Sequence, residues 1–418
     1  MDFEPWWLII FPVLFALGWL AARFDFRQLL SESKNLPNSY FKGLNFLLNE
    51  QPDRAIDAFV EVAKLDPETT ELHFALGSLF RRRGEIERAI RVHQSLLARS
   101  DLPQSDKDAA QYELAQDFFK AGLLDRAEEA FKAVLDTRYS LDAARALIRI
   151  YESEHDWPKA IAAVHYLRTL VDEPVPQLVH YQCEEAETAL KRREPNLEKA
   201  EKALEAAEQA SEELGEERGS VASRARICML QGHLAQAKGD LQAQRRYLLE
   251  AMSIAPEYAG LVAARFMQCC TQLGVAAEGL SQLKAHYELH PSLDVFIVVF
   301  KELREQQGHI RAWAFSRSAL REQPLLLGLD RMLEAELKHA DHTLRVPDYE
   351  SIPPGAAAAE VVAGADLSLL YKVVHKHAQR LDRYSCDVCG FEAQHYYWQC
   401  PGCNSWESYA PKRLEEMR

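Results

Sequence analysis

Four cysteines near the C-terminus carry the clearest chemistry in this sequence of 418 residues. They fall as Cys386-Asp387-Val388-Cys389-Gly390 and Cys400-Pro401-Gly402-Cys403. Each C-x-x-C makes a tight turn that aims two sulfurs at one point, and two such turns complete a tetrahedral S₄ site for one metal ion. Gly390, directly after the second thiol, permits a left-handed backbone there, and Asn404 holds the matching place in the second turn. Zinc and iron both suit tetrahedral sulfur. Four thiolates leave no open coordination position, so the expected role is a staple for a domain too small to fold unaided. Docking comes next and electron transfer third. A thioredoxin-like redox dithiol would need only one of the two pairs. Phe391, Tyr396, Tyr397, Trp398 and Trp406 are placed to cover so small a core. Cys183, Cys228, Cys269 and Cys270 are scattered through helical-looking sequence and read as buried thiols. A disulfide framework explains the cysteines poorly in so large a chain. The repeats described next hold no nucleophile elbow, phosphate loop or zincin helix, and no residue is singled out as catalytic.

The elements that position these cysteines begin with a repeat. Gln51-Pro52-Asp53-Arg54-Ala55-Ile56-Asp57-Ala58-Phe59 recurs in Gly84-Glu85-Ile86-Glu87-Arg88-Ala89-Ile90 and again from Gly122 to Phe131. Ala55 to Ala89 is 34 residues, the tetratricopeptide period. Gly239, Gly274 and Gly308 continue it at spacings of 35 and 34, and His155 with Ala160 sits in register for another unit. A weaker unit runs through Ala186 and Ala200, with a charged insertion over 212–218. About eight units are expected between residues 40 and 340, each a helix, a turn and a second helix. Small residues such as Gly77 and Ala89 belong where the two helices approach, and Phe74, Leu76, Leu79 and Phe80 belong to the core between units. His73, His93, His165 and His233 are expected as surface or satisfied core groups rather than ligands, and Arg81-Arg82-Arg83 as a solvated turn. A stack of this kind is a superhelix with a groove for segments of partner proteins.

Residues 6–22, WWLIIFPVLFALGWLAA, carry no charge and give about 26 Å of helix, at the short end of what spans a bilayer core. Tryptophans mark both ends, and Arg23, Arg27 and Lys34 follow while Asp2 and Glu4 precede. A cleaved signal peptide would want basic residues in front. The positive-inside rule therefore predicts a single-pass anchor with its N-terminus outside and the bulk of the chain in the cytoplasm. The formal net charge of −14 argues against nucleic acid as a partner. The expected organisation is an all-α chain: 1–5 periplasmic, 6–22 transmembrane, 23–39 juxtamembrane, 40–340 repeat array, 341–364 an irregular joint rich in proline and alanine, 365–382 a helix, 383–410 the metal domain and 411–418 a tail.

The combination resembles a known family. An anchor with basic residues behind it, the opening Gly43-Leu44-Asn45-Phe46-Leu47-Leu48, the segment Leu76-Gly77-Ser78-Leu79-Phe80-Arg81-Arg82-Arg83-Gly84-Glu85 and the terminal CxxCG…CPxC motif are similar to the lipopolysaccharide assembly protein B family of Gram-negative bacteria. The likeness covers almost the whole chain. It is tightest over the first three repeats and the metal motif, and looser over 172–220 and 345–365. It implies a non-enzymatic inner-membrane adaptor, facing the cytoplasm, that helps the protease FtsH degrade the deacetylase LpxC and so restrains lipopolysaccharide synthesis. It also implies a lipopolysaccharide-sensing inner-membrane partner and allows a homo-oligomer. The metal motif resembles rubredoxin, which implies iron on Cys386, Cys389, Cys400 and Cys403; the loop is much shorter than in true rubredoxins, which keeps zinc as the alternative. A scaffold for assembly enzymes without a proteolytic role, and a rubredoxin-like redox module, are the competing readings.

Overall fold

Helix follows helix from Pro52 onward because apolar residues recur every three or four positions and glycine or proline interrupts at the repeat period. The computed structural model describes residues 51–65, 70–172, 174–343 and 358–417, with short pieces before residue 51. The anchor expected over 6–22 lies mostly outside the described residues, as does the juxtamembrane segment. Among the described residues no helix is long and apolar enough to cross a membrane.

The chain divides into two compact units, Met1–Ile150 and Tyr151–Arg418. The first holds α1 (Pro52–Leu65), α2 (Thr70–Arg83), α3 (Ile86–Leu97), α4 (Gln104–Lys120), α5 (Leu124–Lys132) and most of α6 (Ser140–Glu154). From α1 to α5 each helix packs on the next, and Ala55, Phe59, Leu72, Leu76, Phe80 and Ala89 form a buried core across α1–α3. Gly77 lies where α2 meets α3. A Cβ there would stand 2.3 Å from Nε2 of His93. His93 is fully buried, and its Nδ1 is 2.5 Å from Asp117, which is buried as well. Arg81 completes the group, donating to Asp117 at 2.7 Å and to Glu113 at 2.5 Å. Arg81 is thus not part of a solvated turn: it is a partly buried strut between α2 and α4. Gly77→Ala is expected to push His93 off Asp117 and to destabilise this unit by about 1–3 kcal/mol, the usual cost of overpacking. Urea unfolding of the variant checks this; unchanged stability would mean that α2 and α3 can move apart freely.

The second unit continues the pattern with α7 (Trp157–Leu170), α8 (Gln177–Leu190), α9 (Leu197–Arg218), α10 (Val221–Lys238), α11 (Leu241–Ile254), α12 (Ala259–Gln272), α13 (Ala276–Leu289), α14 (Leu293–Gln307), α15 (His309–Glu322) and α16 (Leu326–Thr343). Among the described residues, α2 to α5 form two helix pairs in the first unit and α8 to α15 form four in the second. The even-numbered helices are the first of each pair. Gly239 closes α10 in the left-handed region, φ 78°, as a helix-ending glycine should. His155 holds the equivalent place after α6 at φ 55°, a conformation histidine tolerates better than most residues. The charged stretch over 212–218 contains a break in α9 at Gly215, φ 66°. One buried core, including Leu248, Phe266, Leu283, Phe296 and Val299, runs from α10 to Ala378. That residue ends α17 (Ala358–Ala378), which packs on α16 where the sequence places a helix over 365–382. A two-stranded hairpin follows, β1 (Tyr384–Ser385) against β2 (Glu392–Ala393), with Tyr384 opposite Ala393.

Candidate metal centre and its seat on the repeats

The hairpin and the turns around it bring the four predicted ligands together. All four sulfurs lie within 4.8 Å of one another. Cys386 and Cys403 are 3.8 Å apart, and Cys389 and Cys400 are 3.6 Å apart. Four sulfurs at about 2.3 Å from a tetrahedral ion stand about 3.8 Å from each other, so the spacing fits one zinc or iron ion. The two turns are built alike. The Gly390 N–H donates to Cys386 O and the Asn404 N–H to Cys400 O, each at 2.8 Å; Cys386 N–H donates to Phe391 O and Cys400 N–H to Ser405 O. Gly390 and Asn404 both take the left-handed backbone, at φ 73° and 59°. Cys386 and Cys400 are buried, Cys403 is half-buried and Cys389 is exposed. Burial alone would raise the Cys386 thiol, but the Ser408 hydroxyl and the N–H groups of Cys389 and Val388 outweigh it and bring it down to about 6. The remaining cysteines are buried in helices, and burial pushes the Cys183 and Cys228 thiols up to about 12.

The aromatic residues divide in a way their spacing does not announce. Tyr384, Tyr396 and Tyr409 pack around the buried thiols. Phe391 and Tyr397 stay exposed. Trp398 and Trp406 turn outward onto the repeats. Trp406 stacks on His180 of α8, centroids 4.7 Å apart and planes at 9°, with Trp157 and Tyr181 edge-on at 5.9 Å. Its Nε1–H donates to Glu152 at 2.5 Å. Trp398 stacks on Tyr258 at 5.4 Å, planes at 4°.

A charged core lies beneath the two indoles. Arg226 of α10 is 1% exposed, with its guanidinium 5.1 Å from the Trp398 ring and 5.8 Å from Trp406. It donates to Glu184 at 2.5 Å and to His180 Nδ1 at 3.2 Å. His180 Nε2 lies 2.8 Å from Glu407. These partners fix a neutral ring with its proton on Nε2, accepting from arginine and donating to glutamate. Burial and the Arg226 charge press the His180 pKa down, against the pull of Glu407. Burial works against the Glu407 carboxylate, but the His180 hydrogen bond and the Arg226 charge hold it below the usual range. Glu407 itself sits at φ 51°, a conformation costing a non-glycine residue about 1–2 kcal/mol.

The tail clamps the last repeats. The Leu326 and Leu327 N–H groups donate to the Glu415 carboxylate, the latter at 2.9 Å, and the Leu293 N–H donates to Glu416 at 2.8 Å. Leu325, just before α16, carries no capping oxygen, so Glu415 caps that helix from 89 residues away. Arg413 pairs with Asp294 and Asp382 at 3.0 Å each, and Tyr384 donates to Asp294 at 2.7 Å. Glu415→Ala is expected to cost about 1 kcal/mol, the ordinary worth of an N-cap. A fall in melting temperature seen with Glu415→Ala and not with Lys412→Ala checks it. Sequence reasoning missed the His180–Arg226–Glu407 group and the two caps. The one available signal was a surplus of tryptophan in so small a terminal domain.

The comparisons with known proteins agree with this architecture. A family model described as rubredoxin metal binding domain matches residues 384–411. Tetratricopeptide repeat models match 42–102, 112–169 and 225–258. Lipopolysaccharide assembly protein B of Escherichia coli strain K12 is 29% identical over 410 residues, covering 97% of each chain. The protein of the same name from Haemophilus influenzae is 25% identical over 426 residues, covering 98% of each. From the repeats to the terminal cysteines, the chain is similar to lipopolysaccharide assembly protein B.

Proposed function

We propose that this chain is a non-enzymatic adaptor of the bacterial inner membrane that restrains lipopolysaccharide synthesis by bringing the deacetylase LpxC to the protease FtsH. The observation that carries the reading is the end-to-end likeness to lipopolysaccharide assembly protein B, with repeats and metal domain in the same chain. The apolar segment at 6–22 supplies the tether, with the N-terminus periplasmic and the repeats cytoplasmic. Confinement to the membrane plane raises the effective concentration of the repeats toward membrane-bound partners, among them a lipopolysaccharide-sensing protein. Cys386, Cys389, Cys400 and Cys403 would hold one ion, iron by resemblance or zinc. The ion supplies a cross-link between the two turns; the chain's own residues, Trp398, Trp406, Arg226 and Glu415, do the docking.

Removing residues 1–22 tests the tether. LpxC should persist several-fold longer in cells carrying the truncated chain, measured by following LpxC after synthesis is stopped. LpxC turnover as fast as with the full chain would overturn the reading. Recovery of synthesis enzymes without protease by crosslinking in intact membranes would favour a scaffold with no proteolytic role.

A further inference from the structure

The seat of Trp406 and Glu407 has the build of a ligand site. Its walls come from successive elements: Glu152 lies in the last turn of α6, Trp157 opens α7, and His180 with Tyr181 on α8 and Arg226 on α10 lie on the first helices of their pairs. First helices share one face of a repeat stack, the face on which such stacks receive peptides. Each wall residue answers one feature of the occupant. His180, Trp157 and Tyr181 enclose an indole, and Glu152 accepts its N–H. His180, itself held by Arg226, donates to the carboxylate of the next residue. The site therefore reads an aromatic residue followed by an acidic one. Its present occupant keeps its shape through the left-handed Glu407 and the Glu407 N–H bond to Trp398 O at 2.9 Å, inside a domain whose own small core is built on Tyr384, Tyr396 and Tyr409 with Cys386, Cys400 and Cys403. A domain so small keeps its fold through its metal.

We infer, resting on the adaptor reading above, that the face formed by Glu152, Trp157, His180, Tyr181 and Arg226 is a binding site for a tryptophan–glutamate segment of a partner protein, filled in cis by the metal domain and vacated when that domain gives up its metal. The metal domain then acts as a built-in competitor. Metal supply decides how many chains present an open face.

A dye-labelled peptide copying residues 404–409 is the probe, used with the purified full-length chain. Fluorescence anisotropy should show binding to the chelated chain at least tenfold tighter than to the metal-loaded chain. Arg226→Ala or a tryptophan-to-alanine change in the peptide should abolish the gain. Chelation could disturb more than the metal domain, so a second variant carries both Trp398→Ala and Trp406→Ala with all four cysteines intact. It should take up the peptide with its metal still bound. Circular dichroism confirms that the helices persist in each case. Helical chains that bind the peptide no better after chelation, or with both tryptophans removed, overturn the inference. Peptide uptake is read on purified protein and LpxC turnover in cells, so failure of one is distinguishable from failure of the other.

Discussion

Replacing Arg226 with alanine is expected to cost about 3 kcal/mol of stability. Removing one partner of a buried ion pair usually costs about 3–5 kcal/mol because the remaining charge stays buried without compensation. Here the low end applies, since the Glu184 and Glu187 side chains keep 26% exposure and can take up some water. The guanidinium also holds His180 through Nδ1 and lies against both indoles, so its loss frees the seat of the metal domain as well as the ion pair. Arg226→Lys should recover only part of the loss. A lysine keeps the charge, but it is a point donor that cannot reach Glu184 and His180 as a planar fork does. Denaturant unfolding of the metal-loaded chain measures both variants. A loss below about 1 kcal/mol for Arg226→Ala, the range of a surface pair, would show that the buried charge is not structural.

The second large effect belongs to Cys400, the most deeply buried of the four thiols. Cys400→Ser is expected to abolish metal binding, taking the ion from one per chain to none by elemental analysis. A structural metal contributes on the order of 10 kcal/mol to a domain of this size, so the hairpin and both turns should lose their fold with it. Trp398 and Trp406 then leave the repeats, and the emission of the chain should shift to the red. The second unit should also melt several degrees lower, because Glu415 and Glu416 no longer cap α16 and α14. The first unit, which has its own core around Phe59, Leu72 and Phe80, should melt unchanged. Retention of a full equivalent of metal by the variant would contradict the tetrahedral reading.

What could be read from sequence was local or periodic. Two C-x-x-C turns announce themselves by spacing, and Gly390 and Asn404 mark their left-handed residues because few other residues accept that backbone. The repeat shows through Ala55 and Ala89 and through the turn glycines, since the same packing problem recurs every 34 residues. What could not be read joins residues far apart and obeys no period. His180 and Glu407 are separated by 227 positions, and nothing near either of them predicts the other. Arg81 looked like part of a basic run because its partners, Glu113 and Asp117, lie a whole repeat away. Glu415 and Glu416 looked like a charged tail because a helix cap supplied from a distant segment leaves no local signature. Trp398 and Trp406 were legible as core residues, but the core they complete is that of the repeats rather than their own.

The central claim is that metal, terminal domain and repeats of the second unit form one coupled structure. Amide hydrogen exchange on the full-length chain, before and after chelation, tests it most directly. Removal of the metal should accelerate exchange in 384–411 and also in α8 and α10, around His180 and Arg226, while α4 in the first unit keeps its protection. Loss of the metal with faster exchange confined to 384–411, and α8 and α10 as protected as before, would contradict the claim.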